Sequence, residues 1–301
     1  MSEIRRGTLF GAAAYLAWGV FPLYFPLLKP AGALEVLAHR VVWSLLVVAV
    51  LVWMTRRAAG VQAVFADRRR LLMLSTAAVL LAVNWGVYIY GVTSGQVVEA
   101  SLGYFVNPLV TVLLGVFVLG ERLRRPQWVA VGIAAVAVLV LTVENGRPPW
   151  IALALAVTFG TYGLLKKTAG VGAVEGLTVE TAVLAPVALL FLIVLQVRGD
   201  ATFTAHGPGH AALLATTGLV TAIPLLFFGA AASRVPLTTL GVLQYVTPVM
   251  QFLLGVLVFH EPLGLPRFLG FVLVWIALCL FTVDLVRSQR RDARLLVTEP
   301  V

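Results

Sequence analysis

The chain has 301 residues, 60% of them hydrophobic and only 12% charged, with a formal net charge of +9. Soluble domains carry about 25% charged residues, so this balance describes an integral membrane protein with no length left for a soluble catalytic domain. The positive excess lies between apolar runs, where it orients a chain in a bilayer, and so does not point to nucleic acid.

About 20 apolar residues cross the hydrocarbon core as a helix. Ten such segments can be drawn: 7–28, 34–55, 71–91, 97–119, 126–144, 149–165, 176–198, 211–231, 236–259 and 265–286. The predicted fold is therefore an all-α integral membrane protein of ten transmembrane helices. Arg5-Arg6 and the apolar run behind them resemble a signal sequence. The run continues past Trp18 to Leu28 with no convincing cleavage site, and is read as a retained first span. Trp18 and Tyr15 lie deeper than an interfacial belt, so they are candidates to line a pocket, with core packing left open.

The second span opens GALEVLAHRVVWS. Glu35 and His39 are four apart and share a face. Arg40 lies about two turns inside, where a charge is costly and calls for a named partner. Glu35, Glu99 and a carboxylate on a substrate are the candidates, and snorkelling to the outer surface is the plain alternative. In the third span, Asn84 sits near mid-depth and shares a face with Tyr88. Tyr88 and Tyr90 read as an aromatic belt.

The fourth span and its exit, SLGYFVNPLVTVLLGVFVLGERLRRP, carry an Asn-Pro pair at mid-span. Pro108 removes a backbone donor, so the helix is expected to bend or open there. Tyr104, Asn107 and Thr111 form one polar stripe. In the sixth span, Tyr162 and Lys166 could face the same interior, although Lys166-Lys167 more simply mark an edge. In the ninth span, Gln244, Thr247 and Gln251 repeat the polar stripe beside Pro248, with Tyr245 adjoining. Hydrogen-bonded helix packing is the competing account of both stripes.

A constant shift of 140 aligns Pro108 with Pro248, Gly115 with Gly255, Glu121 with Glu261 and Pro126 with Pro266; Gly19 meets Gly160 within one residue. Arg40 falls on Glu180. The chain thus divides into repeats at 1–145 and 146–286, with a basic tail at 287–301. Five spans per repeat is an odd number, so the second repeat enters from the opposite side. Such inverted repeats place a substrate site near mid-membrane where the halves meet. With the N-terminus inside, the inner segments hold 17 Lys and Arg against 4 outside. That asymmetry predicts a multi-pass protein of a bacterial inner membrane with both termini cytoplasmic.

Enzyme signatures are weak. His206 and His210 in HGPGH have metal-like spacing, but the Gly-Pro between them breaks the helix that spacing needs. No HExxH or GxSxG is present. Neither a metal nor a cofactor is expected. Cys279 sits in an apolar run and reads as packing. Gly7 and Gly11 give a small GxxxG that leaves a homo-oligomer open.

GALEVLAHRVVWSLL, NWGVYIYGV, VEASLGYFVNPLVTVLLGVFVLGERL and LGVLQYVTPVMQFLLGVLVFHEP together resemble the RarD-type branch of the EamA family, in the drug/metabolite transporter superfamily. The resemblance implies a permease of two inverted five-helix repeats around a central cavity, with the label of a chloramphenicol-sensitivity-associated protein. The expected function is a secondary transporter exporting a small organic metabolite or drug-like solute. Its expected substrate contacts are Trp18, His39, Arg40, Asn84, Tyr104, Asn107, Gln244, Tyr245 and Gln251. Glu35, Glu99, Glu180 and His39 are candidate proton couplers. A passive pore and a membrane-embedded enzyme are the alternatives. The bilayer and the solute are the only expected partners besides a second copy of the chain.

Overall fold

The structure is a computed structural model describing residues 3–119, 123–232, 234 and 243–298. Glu121, Arg122, residues 235–242 and the side chains of Thr111, Lys167, Arg267 and the arginines after Arg287 lie outside the described residues.

The described residues are helical, with no strand among them. The principal helices are α1 (Glu3–Gly19), α2 (Ala33–Met54), α3 (Arg68–Thr93), α4 (Val97–Leu119), α5 (Arg125–Asn145), α6 (Trp150–Ala169), α7 (Ala173–Arg198), α8 (Thr217–Ala232), α9 (Val246–Leu253) and α10 (Leu265–Thr298). Six apolar stretches are long enough to cross a membrane: Arg5–Leu28, Ala33–Met54, Arg68–Thr93, Arg125–Val143, Ala173–Arg198 and Gly207–Phe228. Val97–Val110, Trp150–Lys166, Val246–Val258 and Phe268–Asp284 are shorter apolar helices. Large apolar side chains such as Trp53, Phe117, Val143 and Val197 are more than three-quarters exposed. In water such a surface would aggregate; against lipid tails it is ordinary.

Local chemistry explains where the helices depart from the predicted segments. The first segment breaks after Gly19 into a short helix at Phe21–Tyr24 and a 3-10 turn at Phe25–Leu28. Pro22 and Pro26 lack the donors that would continue the α-helical ladder, and both sit at the first turn of these pieces. The loop before α3 holds a helix at Ala58–Ala66, and Asp67 caps α3 by accepting from Arg69 N and Arg70 N. Pro126 lies in the first turn of α5, where its missing donor costs nothing. Helix α10 runs on into the basic tail as far as Thr298, in keeping with the helix-favouring Arg, Gln, Ala and Leu there. Cys279 faces outward rather than into the packing.

The proline expectation also changes. Helix α4 passes through Pro108 without interruption. One lost hydrogen bond does not open a helix held by α6 on one side and α9 on the other. Pro248 is the third residue of α9, so it too removes a donor that needs no helical partner. The irregularity lies beyond it, in a π turn at Leu254–Val258.

Helix α4 packs on α6 and α9, α3 on α6 and α7, α2 on α7 and α8, α1 on α8 and α9, and α5 on α10. Two glycines permit the closest approaches to the backbone of a neighbouring helix. A Cβ on Gly103 of α4 would meet Ala152 O of α6 at 2.8 Å, and one on Gly218 of α8 would meet the Trp43 backbone of α2 at 2.5 Å. A core of Leu102, Phe105, Leu141, Phe252 and Phe271 fills the α4–α5–α10 side. A second cluster, including Phe21, Phe25, Leu28, Tyr88, Ile89 and Leu214, closes the end of the bundle near the α3–α4 turn.

Candidate functional site

Helices α1–α3, α4, α6, α7, α8 and α9 surround a cavity of about 230 Å³. Its deep end is buried: Arg40, Asn84 and Tyr88 are 4%, 1% and 3% exposed. At its other end Leu51 and Lys166 are partly exposed and Ala173 is exposed, so the mouth lies near the α6–α7 turn. Aromatic rings dominate the wall, with Trp18, Trp85, Tyr88, Tyr104, Phe159 and Phe228 among them. Tyr88 and Tyr104 meet edge to face at 5.6 Å, as do Tyr104 and Phe159 at 6.2 Å.

Arg40 ends the cavity. Its Nε donates to Thr221 Oγ1 at 2.6 Å, and its guanidinium lies 4.0 Å from the Trp85 ring centroid, with Phe21 and Phe25 at 5.5 and 5.8 Å. Nη1 has no hydrogen-bond partner. No carboxylate among the described residues lies within 4.0 Å of it. Aromatic faces attract the cation without neutralising it. The side chain is enclosed rather than snorkelling.

The candidate partners are engaged elsewhere. Glu35 Oε1 accepts from Thr202 N at 2.8 Å, at the start of the short helix Thr202–Ala205. Glu99 Oε1 accepts from Ile151 N at 3.0 Å, in the first turn of α6. Glu261 accepts from both Val97 N and Val98 N, at 2.5 and 2.9 Å, at the start of α4. A carboxylate suits a helix N-terminus because unsatisfied donors and the helix dipole meet there. Glu180 is 1% exposed and pairs with Lys166 Nζ at 2.9 Å, while the Tyr162 hydroxyl donates to it at 3.5 Å. Lys166 and Tyr162 line the cavity.

The other sequence candidates divide. Trp18, Asn84, Tyr104, Gln244 and Gln251 line the cavity with Arg40. Asn84 Nδ2 donates to Leu155 O and to Thr158 Oγ1, both at 3.0 Å, and Tyr104 donates to Asn84 Oδ1 at 3.4 Å. Gln251 Nε2 donates to Trp18 O at 3.2 Å, leaving Oε1 unpartnered. Asn107 is not in the wall; its Nδ2 donates to Ala156 O at 2.9 Å and joins α4 to α6. Tyr245 packs against the α4–α5–α10 core instead. His39 faces a separate crevice, stacked on Phe203 at 4.8 Å, with Nδ1 accepting from Trp43 at 3.3 Å. Arg40 is the next residue, about 100° round the helix, and lines the central cavity instead. His210 bonds Thr202 Oγ1 at 3.0 Å, and its ring lies 5.5 Å from that of His206.

Sequence reasoning missed Trp85 and Thr221, and it assigned Tyr88 to a membrane belt. Tyr88 is buried in the cavity wall, whereas Tyr90, two residues on, is 45% exposed beside Trp150. Arg40 was the available signal: a buried cation needs rings or acceptors at its own depth.

A profile of the EamA-like transporter family matches residues 5–143 and again residues 148–283. The chain is 56% identical over 300 residues to "Protein RarD" of Streptomyces exfoliatus, covering 99% of this chain and 95% of that one. It is 40% identical over 292 residues to "Protein RarD" of Escherichia coli strain K12, covering 97% and 99%. A "Chloramphenicol-sensitive protein RarD" of Pseudomonas aeruginosa is 35% identical over 294 residues, covering 96% and 97%. A solved crystal structure shares the fold with a TM-score of 0.60 at 20% identity, covering 94% of this chain and 98% of that one. With this twofold match and these full-length relatives, the chain is a multi-pass membrane protein and belongs to the EamA-like transporter family, in its RarD branch.

Proposed function

We propose that the chain is a secondary transporter of ten membrane spans, built as two inverted five-helix halves, that exports a small organic solute by alternating access. The observation that carries this reading is the central cavity, walled by both halves, exposed at the α6–α7 end and sealed at the other by buried aromatic side chains. A passive pore has no such seal. Lys166 lies at the mouth, and the Lys/Arg balance assigns that end to the cytoplasm.

Helix packing supports the two-half reading. Exchanging each helix of α1–α5 with the one five places later turns the most extensively packed pairs into one another: α4–α6 becomes α9–α1, α3–α6 becomes α8–α1, and α2–α8 becomes α7–α3. The two successive family matches support it as well.

Comparing metabolites released by cells with and without the gene identifies the solute; counterflow in proteoliposomes then tests the mechanism. A carrier takes up labelled solute faster when preloaded with unlabelled solute. Uptake indifferent to preloading favours the pore instead. Product formed in detergent, with no compartments, favours an enzyme.

A further inference from the structure

Resting on the transporter reading, we infer that the solute is a singly charged carboxylate with an apolar body, and that its carboxylate binds Arg40 at the sealed end of the cavity. Among the described residues, the cavity wall holds two cations, Arg40 and Lys166, and no Asp or Glu. Lys166 is paired with Glu180 just behind the wall. The wall's uncompensated charge is therefore a single positive one, on Arg40. A buried cation with no anion carries a large desolvation penalty, and a ligand that brings the anion removes it.

The geometry defines the ligand further. With Nε held by Thr221, the guanidinium keeps unpartnered donors, the buried Nη1 among them. A carboxylate oxygen is its natural acceptor, since hydrogen bonds between charged groups are the strong ones. Trp85 covers one face of the guanidinium, so the anion approaches in the plane of its N–H groups. Gln251 and Tyr88 line the cavity, and Gln251 Oε1 and the Tyr88 hydroxyl are buried without hydrogen-bond partners, a need that a second polar atom on the solute would meet. The remaining wall is aromatic and aliphatic, matching an apolar body. A dianion such as a phosphate monoester would leave one negative charge unbalanced. A zwitterion such as an amino acid would bring an ammonium group to a wall without a carboxylate. Both are disfavoured against a monocarboxylate.

Trp18 and Trp85 line the cavity, so their fluorescence reports binding. The test titrates the purified full-length protein with phenylacetate, phenylacetamide and phenethylamine, which share a ring and differ in charge. Phenylacetate should give a saturable change at about tenfold lower concentration than the amide or the amine, as expected for losing one charged hydrogen bond. Arg40→Gln should abolish the preference of acid over amide, and Arg40→Lys should restore part of it. Equal responses to acid and amide in the unaltered protein, or no saturable response to any probe, overturn the assignment without reliance on a variant's folding. An acid preference that survives Arg40→Gln overturns it also. Flux is measured separately: acid-selective binding with no counterflow of phenylacetate keeps the anchor and removes the transporter reading. Counterflow of the identified solute with no acid preference does the reverse.

Discussion

Asn107 and Thr247 stand 140 residues apart and do the same job on opposite sides of the bundle: Asn107 donates to Ala156 O of α6, and Thr247 donates to Tyr15 O of α1. The acceptors are also displaced by the repeat offset, to within one residue. Each bond fixes a helix that borders the cavity.

That arrangement separates two polar residues of similar appearance. Asn107→Ala is expected to destabilise the protein by about 1 kcal/mol, the usual scale for a hydrogen bond between membrane helices, while leaving the transport KM unchanged. Gln251→Ala is expected to raise KM, because Gln251 lines the cavity. Thermal unfolding in detergent and uptake in proteoliposomes check the pair. A raised KM in Asn107→Ala with no loss of stability would reassign that residue to the wall.

Lys166 and Glu180 form an ion pair that is 21% and 1% exposed. Lys166→Met leaves a buried carboxylate without its cation and should cost about 3–5 kcal/mol. Lys166→Met with Glu180→Leu should recover most of the loss, since apolar replacement of a buried pair is often nearly neutral. Unfolding of the single and double variants measures the coupling. Simple additivity of the two losses would show that the residues act independently.

Glu261 closes the start of α4 through two backbone donors. Glu261→Ala should reduce stability by about 1–2 kcal/mol, and Glu261→Gln by less, because Gln retains an acceptor but not the charge. Hydrogen exchange at Val97 and Val98 should rise in Glu261→Ala before it rises in α10.

Gly218→Val sets a branched side chain against the Trp43 backbone and should lower the unfolding temperature by several degrees, whereas Gly132→Ala, where a Cβ meets nothing within 4 Å, should not. Equal shifts would mean that the α2–α8 contact opens without penalty.

Sidedness is read with single cysteines in a Cys279→Ser background. Arg147→Cys and Thr168→Cys lie at opposite ends of α6 and both positions are exposed. Arg147→Cys should react with an impermeant reagent added outside, and Thr168→Cys only after the membrane is opened. Their neighbours Gly146 and Gly170 have φ of 62° and 60°, where a cysteine would be strained, and are poorer positions.

The apolar runs and the buried charge were legible in sequence because bilayer thickness and desolvation act on single segments. Facing was not. Tyr88 and Tyr90 have the same residue type at almost the same depth, yet one lines the cavity and the other is largely exposed. Only the packing of α3 on α6 and α7 decides between them. Glu35 and Glu99 looked like proton carriers because a carboxylate near a span is rare. The backbone donors they accept from, Thr202 N and Ile151 N, lie 167 and 52 residues away, beyond the reach of any local pattern. At Pro108 the local signal points to a bend or an opening, and the neighbours of α4 keep the helix continuous.

The unbalanced guanidinium of Arg40 carries an energetic consequence for the cell. A solute bearing the one negative charge that Arg40 matches leaves a negative cytoplasm with the membrane potential, a gain of about 2.3 kcal/mol per 100 mV. Efflux of such an anion runs downhill electrically and requires no proton in exchange. A carrier of this kind needs no titrating carboxylate in its wall, and voltage rather than pH sets how far the solute can be depleted.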